Sequence, residues 1–262
     1  MSGLVLLHGF TGAPASFDAL ARRLSRSLRV PLYRPALLGH GGAAPASIVR
    51  FEQEVDRLAR GIAGAGMTGG HLCGYSLGAR IGLGLLARHG YLFSGATLIG
   101  VHPGLVSVAE RAARVGSDER WCELLSRRGN GAFLAAWEAQ PLFASQRALT
   151  EAEARAQRRI RGSHSARDLA RSLRVLGLGQ MPNYRGVFAL ARRRVRLVVG
   201  ERDEKFVALA RGIARGAPRV TVDLVPGVGH NVLLEAPEHV ERVLVRELHC
   251  PIAVDEGARD GN

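Results

Sequence analysis

Gly74-Tyr75-Ser76-Leu77-Gly78 decides how this chain folds. Before it, His71-Leu-Cys-Gly74 reads as a buried strand; after it, Leu77 to Ala87 has helical spacing. A strand that turns into a helix within two residues puts its serine on a sharp, strained bend. A side chain at either flanking position would collide with backbone there, so the chemistry needs both glycines. The bend exposes a hydroxyl at the end of a strand, where a nucleophile has to stand.

Outward from this point, strand and helix patterns alternate. Gly3-Leu-Val-Leu-Leu7 is a short apolar strand, and Pro14 to Leu28 a helix with apolar positions at Phe17, Leu20, Leu24 and Leu28. Val30 to Tyr33 is a second strand, followed by the loop Leu38-Gly-His-Gly-Gly42, and Phe51 to Ile62 an amphipathic helix. Ala96 to Val101, Val195 to Val199 and Val220 to Val225 add three strands. Such alternation implies a mostly parallel sheet with helices on both faces.

The serine has partners in the right order. Asp203 follows the strand Val195 to Val199, and Gly227-Val-Gly-His230 supplies a histidine after the last strand. Ser, then Asp, then His is the chain order of the α/β-hydrolase triad. Ser76, Asp203 and His230 are therefore the expected catalytic residues; Glu201 is a rival acid, nearer the strand end. An oxyanion site needs two backbone N–H groups. Leu77, next after the serine, should give one; Phe10, in the loop His8-Gly9-Phe10-Thr11, should give the other. His8 is expected to shape that loop.

The alternation stops between about residues 103 and 186, where only helical patterns occur: Leu105 to Arg114, Glu119 to Arg127, Ala132 to Ala139, Glu151 to Arg161 and Ala166 to Leu176. This segment is expected to cap the carboxyl edge of the sheet, where open α/β folds bind ligands. The expectation is one domain over 1–262, with a core of about 1–102 and 187–250 and a disordered tail from Asp255.

Composition narrows the function. Nearly half the residues are apolar, in keeping with a globular chain. The apolar run at Leu4 to Leu7 is too short for a signal peptide, and nothing approaches a membrane span, so a cytoplasmic protein with no membrane partner is expected. Cys73, Cys122 and Cys250 are an odd number with no CxxC pair, which suits reduced thiols. The net charge of +13 comes almost entirely from arginines scattered among Glu and Asp. That suits a solvated surface or attraction of a small anionic substrate, with no nucleic-acid motif in sight. Gly64-Ala-Gly66-Met-Thr-Gly69 matches a dinucleotide fingerprint, but it follows a helix and precedes a strand, the reverse of what that site requires. His40, His71, His89, His102, His164, His239 and His249 form no metal motif, and no cofactor is expected.

Further segments resemble one branch of the α/β-hydrolases. They are Leu7-His-Gly-Phe-Thr-Gly12, Gly74-Tyr-Ser-Leu-Gly-Ala-Arg80, His102-Pro-Gly-Leu105, Trp137-Glu-Ala-Gln-Pro-Leu-Phe-Ala-Ser145, Gly200-Glu-Arg-Asp-Glu-Lys-Phe206 and Gly229-His-Asn-Val-Leu-Leu-Glu235. Together they are similar to the 2-succinyl-6-hydroxy-2,4-cyclohexadiene-1-carboxylate synthases, menaquinone-pathway lyases that eliminate pyruvate. The resemblance implies a triad that removes a ring proton without forming an acyl-enzyme. It implies Arg80, Arg114 and Arg161 as carboxylate ligands, with Arg158 an alternative to Arg161, and Trp137 and Tyr75 beside the substrate. Guanidinium forks suit fixed carboxylates better than ammonium groups do. A hydrolase of esters, thioesters or carbon–carbon bonds could use the same triad, and a non-catalytic receptor could keep the pocket. Two departures stand out. Arg34-Pro-Ala-Leu-Leu-Gly-His-Gly41 replaces an acidic residue and Pro-Gly-His-Gly, and the chain starts at its first strand, which points to a misplaced start codon or a trimmed sheet.

Overall fold

The computed structural model describes residues 3–41 and 45–249. Six strands form one parallel sheet in the order β2-β1-β3-β4-β5-β6: β1 Leu4–Leu7, β2 Leu32–Tyr33, β3 Gly70–Tyr75, β4 Phe93–Ile99, β5 Val195–Gly200 and β6 Val220–Val225. The strands are apolar on both sides because both sides are covered. In β1, Leu4 and Leu6 point to the face packed by α1 (Asp18–Ser27), α9 (Val232–Glu235) and α10 (Pro237–His249). Val5 and Leu7 point to the opposite face, packed by α2 (Phe51–Gly64), α3 (Leu77–His89), α7 (Arg185–Ala189) and α8 (Glu204–Ala214). The alternation expected from sequence is therefore a sheet with helices on both faces.

The order of strands places the site. From β1 the chain steps outward to β2, then returns across β1 to β3. The carboxyl ends of β1 and β3 thus flank a switch point, where loops diverge and leave a crevice. The loop Gly9–Gly12 follows β1, and Ser76 follows β3.

Between β4 and β5 the helices α4 (Val108–Glu138), α5 (Glu151–Gly162) and α6 (Ala166–Leu176) lie over this edge, and α4 and α6 share a small core of Cys122, Leu125, Phe133, Leu169 and Leu173. Burying a ring such as Phe133 contributes about 3 kcal/mol. The ends of these helices are written locally. Ser107 and Glu110 exchange hydrogen bonds of 3.0 and 3.2 Å at the start of α4, and Thr150 and Glu153 do the same at the start of α5.

Here the helical boundaries read from sequence need correction. The first two of the three helices expected over 105–139 are one continuous run from Val108, and the third follows it after a kink at Gly129, all within Val108–Glu138. The expected break near Gly116 does not occur, since a mid-helix glycine costs only about 1 kcal/mol and the Arg114–Asp118 pair, 2.9 Å apart, spans it. The real interruption is at Gly129, whose φ of 74° only glycine adopts freely. Asn130, next to it, uses its side-chain amide to hold the carbonyls of Arg161 and His164.

The glycine-rich segment 64–69 joins α2 to β3, as its order in the sequence required. Cys73 and Cys122 are buried free thiols; Cys250 and the expected disordered tail lie outside the described residues. Among the described residues no helix is long and apolar enough to cross a membrane.

Candidate active site

Ser76 sits at φ 50°, ψ −106°, a left-handed conformation that an L-residue adopts only under constraint. The constraint is close packing through the two glycines. A Cβ on Gly78 would lie 2.0 Å from the Leu7 carbonyl oxygen, and one on Gly74 would lie 2.6 Å from that of Gly78. The helix that carries the serine can approach β1 only because those atoms are absent. His230 Nε2 is 3.1 Å from Ser76 Oγ, and its Nδ1 is 2.6 Å from Asp203 Oδ2. Asp203 and His230 are both buried, and the Phe206 ring packs 4.5 Å from the imidazole. Gly100, at φ 58°, leaves room for that ring: a Cβ there would be 2.8 Å from His230 Cε1. Glu201, the rival acid, is exposed and accepts the Gly227 amide at 2.9 Å. The relay Asp203–His230–Ser76 can draw the proton from the serine hydroxyl and leave the oxygen able to attack or to abstract a proton.

The amides available to a developing oxyanion follow by accounting. Ser76 N–H already donates to the Ile99 carbonyl at 2.8 Å, extending the β3–β4 ladder. Leu77 is the first residue of α3, whose N–H has no partner within the helix. In the β1 loop, Gly12 N–H donates to Gly9 O at 3.0 Å and Thr11 N–H to His40 Nε2 at 3.1 Å. Gly9 O also accepts from His8 Nδ1 at 2.8 Å. A trans peptide points its N–H opposite its C=O, so with Gly9 O pinned inward the Phe10 N–H faces away from His8. Burial pulls His8 down to about 4 and His40 well below the ordinary imidazole value, which keeps each ring neutral and able to accept.

Two cavities meet at Ser76, and Phe10, Trp137, Leu142 and His230 line both. The first, about 340 Å³, is cationic: Arg80, Arg114 and Lys205 face it, beside a neutral His102 that burial and these cations lower to about 4. Arg80 donates to the Leu176 carbonyl at 2.8 Å and, among the described residues, has no ion-pair partner. Burial and the neighbouring Arg114 lower it to about 9, so it is still a cation at neutral pH. Arg114 is shared with Asp118, whose carboxyl burial pushes up. The second cavity, about 620 Å³, is walled by Tyr75, Phe143, Ile160, Leu233 and Arg161 among others.

Arg161 is buried, bonded to Glu138 at 2.7 Å and 5.4 Å above the Phe143 ring. Arg158, the alternative, is exposed and lines neither cavity. The resemblance implied Arg80, Arg114 and Arg161 together as carboxylate ligands; the structure puts Arg80 and Arg114 on one side of the serine and Arg161 on the other. Trp137 stands between the two sides, with Phe10 5.2 Å and Phe133 5.5 Å from its ring. Sequence reasoning missed Lys205 and Gln140 on the cationic wall, and the hydrogen bonds of His40 and His164 to Thr11. Lys205 lies inside the quoted Asp-Glu-Lys-Phe segment, so its position was in view without its direction.

Residues 4–243 match the model of the alpha/beta hydrolase family. The chain is 30% identical over 237 residues to the 2-succinyl-6-hydroxy-2,4-cyclohexadiene-1-carboxylate synthase of Shigella sonnei (strain Ss046), covering 90% of each protein. It is 31% identical over 249 residues to the enzyme of the same name from Enterobacter sp. (strain 638), covering 95% of this chain and 92% of that one. The solved structure of MenH from S. aureus superposes with a TM-score of 0.87 at 26% identity, covering 94% of this chain and 93% of that chain. The chain belongs to the α/β hydrolase family and, within it, to the 2-succinyl-6-hydroxy-2,4-cyclohexadiene-1-carboxylate synthases.

Proposed function

We propose that this protein is a cytoplasmic carbon–oxygen lyase of menaquinone biosynthesis. It eliminates pyruvate from a succinyl-enolpyruvyl-hydroxycyclohexene-carboxylate, giving 2-succinyl-6-hydroxy-2,4-cyclohexadiene-1-carboxylate. One observation carries the reading: the Ser76–His230–Asp203 relay opens directly onto a cavity whose Arg80 is cationic and without an ion-pair partner among the described residues. A buried unpaired cation is costly on its own and is repaid by an anion that fits it. The small anionic substrate supplies that anion.

In this reaction Ser76 forms no acyl-enzyme. His230 Nε2 takes the hydroxyl proton, and Ser76 Oγ takes the proton from the ring carbon next to the succinyl carbonyl. The electrons left on the ring move through the ring double bond and expel the enolpyruvyl oxygen, breaking the carbon–oxygen bond. The proton held on His230 passes to the released enolpyruvate, which takes it on carbon and leaves as pyruvate, restoring the relay. Charge passing onto the succinyl carbonyl oxygen is met by the amides of Phe10 and Leu77. Arg80 and Arg114 hold carboxylate on one side, and Arg161 on the other. Tyr75 and Trp137 pack against the ring. A substrate that spans both cavities is thus fixed at two ends with its ring over Ser76, which is the positioning an elimination requires. The test is pyruvate release from the cyclohexene substrate, coupled to a lactate dehydrogenase readout. Absence of pyruvate with folded wild-type protein overturns the assignment.

A further inference from the structure

Three histidines from three distant segments hold three successive peptides of the loop after β1. His8 Nδ1 donates to Gly9 O, the oxygen of the 9–10 peptide. His40 Nε2 accepts from Thr11 N, the amide of the 10–11 peptide. His164 Nε2, from the turn between α5 and α6, donates to Thr11 O, the oxygen of the 11–12 peptide, at 3.2 Å. The rings stack edge to face, with His8–His40 centroids 5.1 Å apart and His40–His164 5.2 Å apart. Thr11 itself is at φ 62°, a strained conformation for a threonine that its surroundings must impose.

His164 is the member that the proposed elimination does not account for. It comes from the helices above the sheet, and it is 94% buried, with 6% of its surface exposed. Its Nδ1 has no partner among the described residues. Leaving a buried nitrogen unpaired costs about 1–3 kcal/mol, so for packing alone an apolar side chain would serve better. What the imidazole supplies is a donor at Thr11 O. The same peptide sends its N–H to Gly9 O, and Gly9 O fixes the direction of the Phe10 amide. We propose that His164 is a positioning residue: by holding the Thr11–Gly12 peptide it aims the Phe10 N–H at the oxyanion formed beside Ser76, and does so only while α5 and α6 lie over the sheet. Asn130, which bonds the His164 carbonyl at 2.9 Å, secures that turn from the far side. The inference rests on the Phe10 amide acting as proposed above.

The experiment reads the oxyanion site separately from the lyase reaction. An alkyl p-nitrophenyl phosphonate places its P=O oxygen at the same amides while Ser76 Oγ bonds to phosphorus. The serine proton passes to His230 and nitrophenolate leaves, so absorbance gives the rate and mass spectrometry the site. His164→Leu should slow this labelling by about tenfold, less than outright deletion of a donor would. His164→Gln, whose amide can still donate, should stay within about threefold of wild type. With the cyclohexene substrate, His164→Leu should lower kcat and leave KM unchanged. Because leucine at 164 removes a bond that folding also uses, Asn130→Ala is the second arm; it keeps the imidazole and loosens its anchor, and should slow labelling too.

Wild-type rates in folded His164→Leu or in Asn130→Ala would overturn the inference, as would a glutamine variant as slow as the leucine one. Wild type that labels on Ser76 but releases no pyruvate would sink the lyase reading and leave His164 to be judged on the phosphonate rates. Wild type that releases pyruvate but does not label on Ser76 would overturn the inference and leave the lyase reading standing.

Discussion

Arg80 donates to the carbonyl of Leu176 across 2.8 Å, joining the helix that starts at the serine to a helix above the sheet. One arm of its fork is occupied by that bond, and the rest faces the cationic cavity. Arg80→Ala should therefore lower kcat/KM for pyruvate release by about 2–5 kcal/mol, the cost of breaking a buried charge pair. Arg80→Lys should recover only part, because an ammonium cannot serve the carbonyl and a carboxylate in one plane. On a neutral p-nitrophenyl ester the same variants should stay close to wild type. Steady-state kinetics on both substrates checks this; equal losses on both would show that Arg80 acts through the fold.

Ser76, His230 and Asp203 are linked by hydrogen bonds of 3.1 and 2.6 Å and should fail as a unit. Ser76→Ala, Asp203→Asn and His230→Ala should each remove most activity and leave the circular dichroism spectrum unchanged. The double variant Ser76→Ala/His230→Ala should be little worse than the poorer single. Multiplying losses would mean that the residues act independently.

Gly100 and Gly116 make a matched pair. A Cβ at Gly100 would meet His230 Cε1 at 2.8 Å, whereas nothing lies within 4 Å of one at Gly116. Gly100→Ala should displace the imidazole and cut turnover by about 100-fold in a protein that still folds. Gly116→Ala should raise stability by about 1 kcal/mol with turnover intact. Thermal melts beside kinetics separate the two outcomes.

Stability should fall on the acid side. Burial holds His8 and His71 at about 4 and His40 well below the usual 6.5. Between these values the unfolded chain binds protons that the folded chain excludes, so the contribution is present above pH 6.5 and is lost as pH drops toward 4. Each buried ring should cost about 2 kcal/mol by pH 5. Urea midpoints at pH 7.5 and pH 5 test this, and coincident midpoints would contradict it.

The triad was legible in the sequence because the fold writes it with local signals: two glycines around Ser76, an acid after one strand, a histidine after the next. The proposal of the Phe10 and Leu77 amides for the oxyanion starts from the same frame. The side of the serine on which each arginine stands was not legible, since it depends on how α4, α5 and α6 pack, and their arginines look alike in sequence. Nor was the length of α4, because Gly116 and Gly129 are equally plausible breaks until the partners of Asn130 are known. His40 and His164 were visible only as histidines without a metal motif. A single hydrogen bond to a backbone atom 29 or 153 residues away leaves no periodicity to read.

The clamp of His8, His40 and His164 makes Gly9–Gly12 a poor candidate for transplantation. Copied into another sheet, those four residues would arrive without the rings that dictate their shape, and the loop would relax to whatever its new neighbours allow. An engineer moving this centre would have to carry the turn between α5 and α6 with it, and the segment around His40 as well. The portable unit is a set of four separated pieces, counting the serine bend, and they move together or lose their purpose.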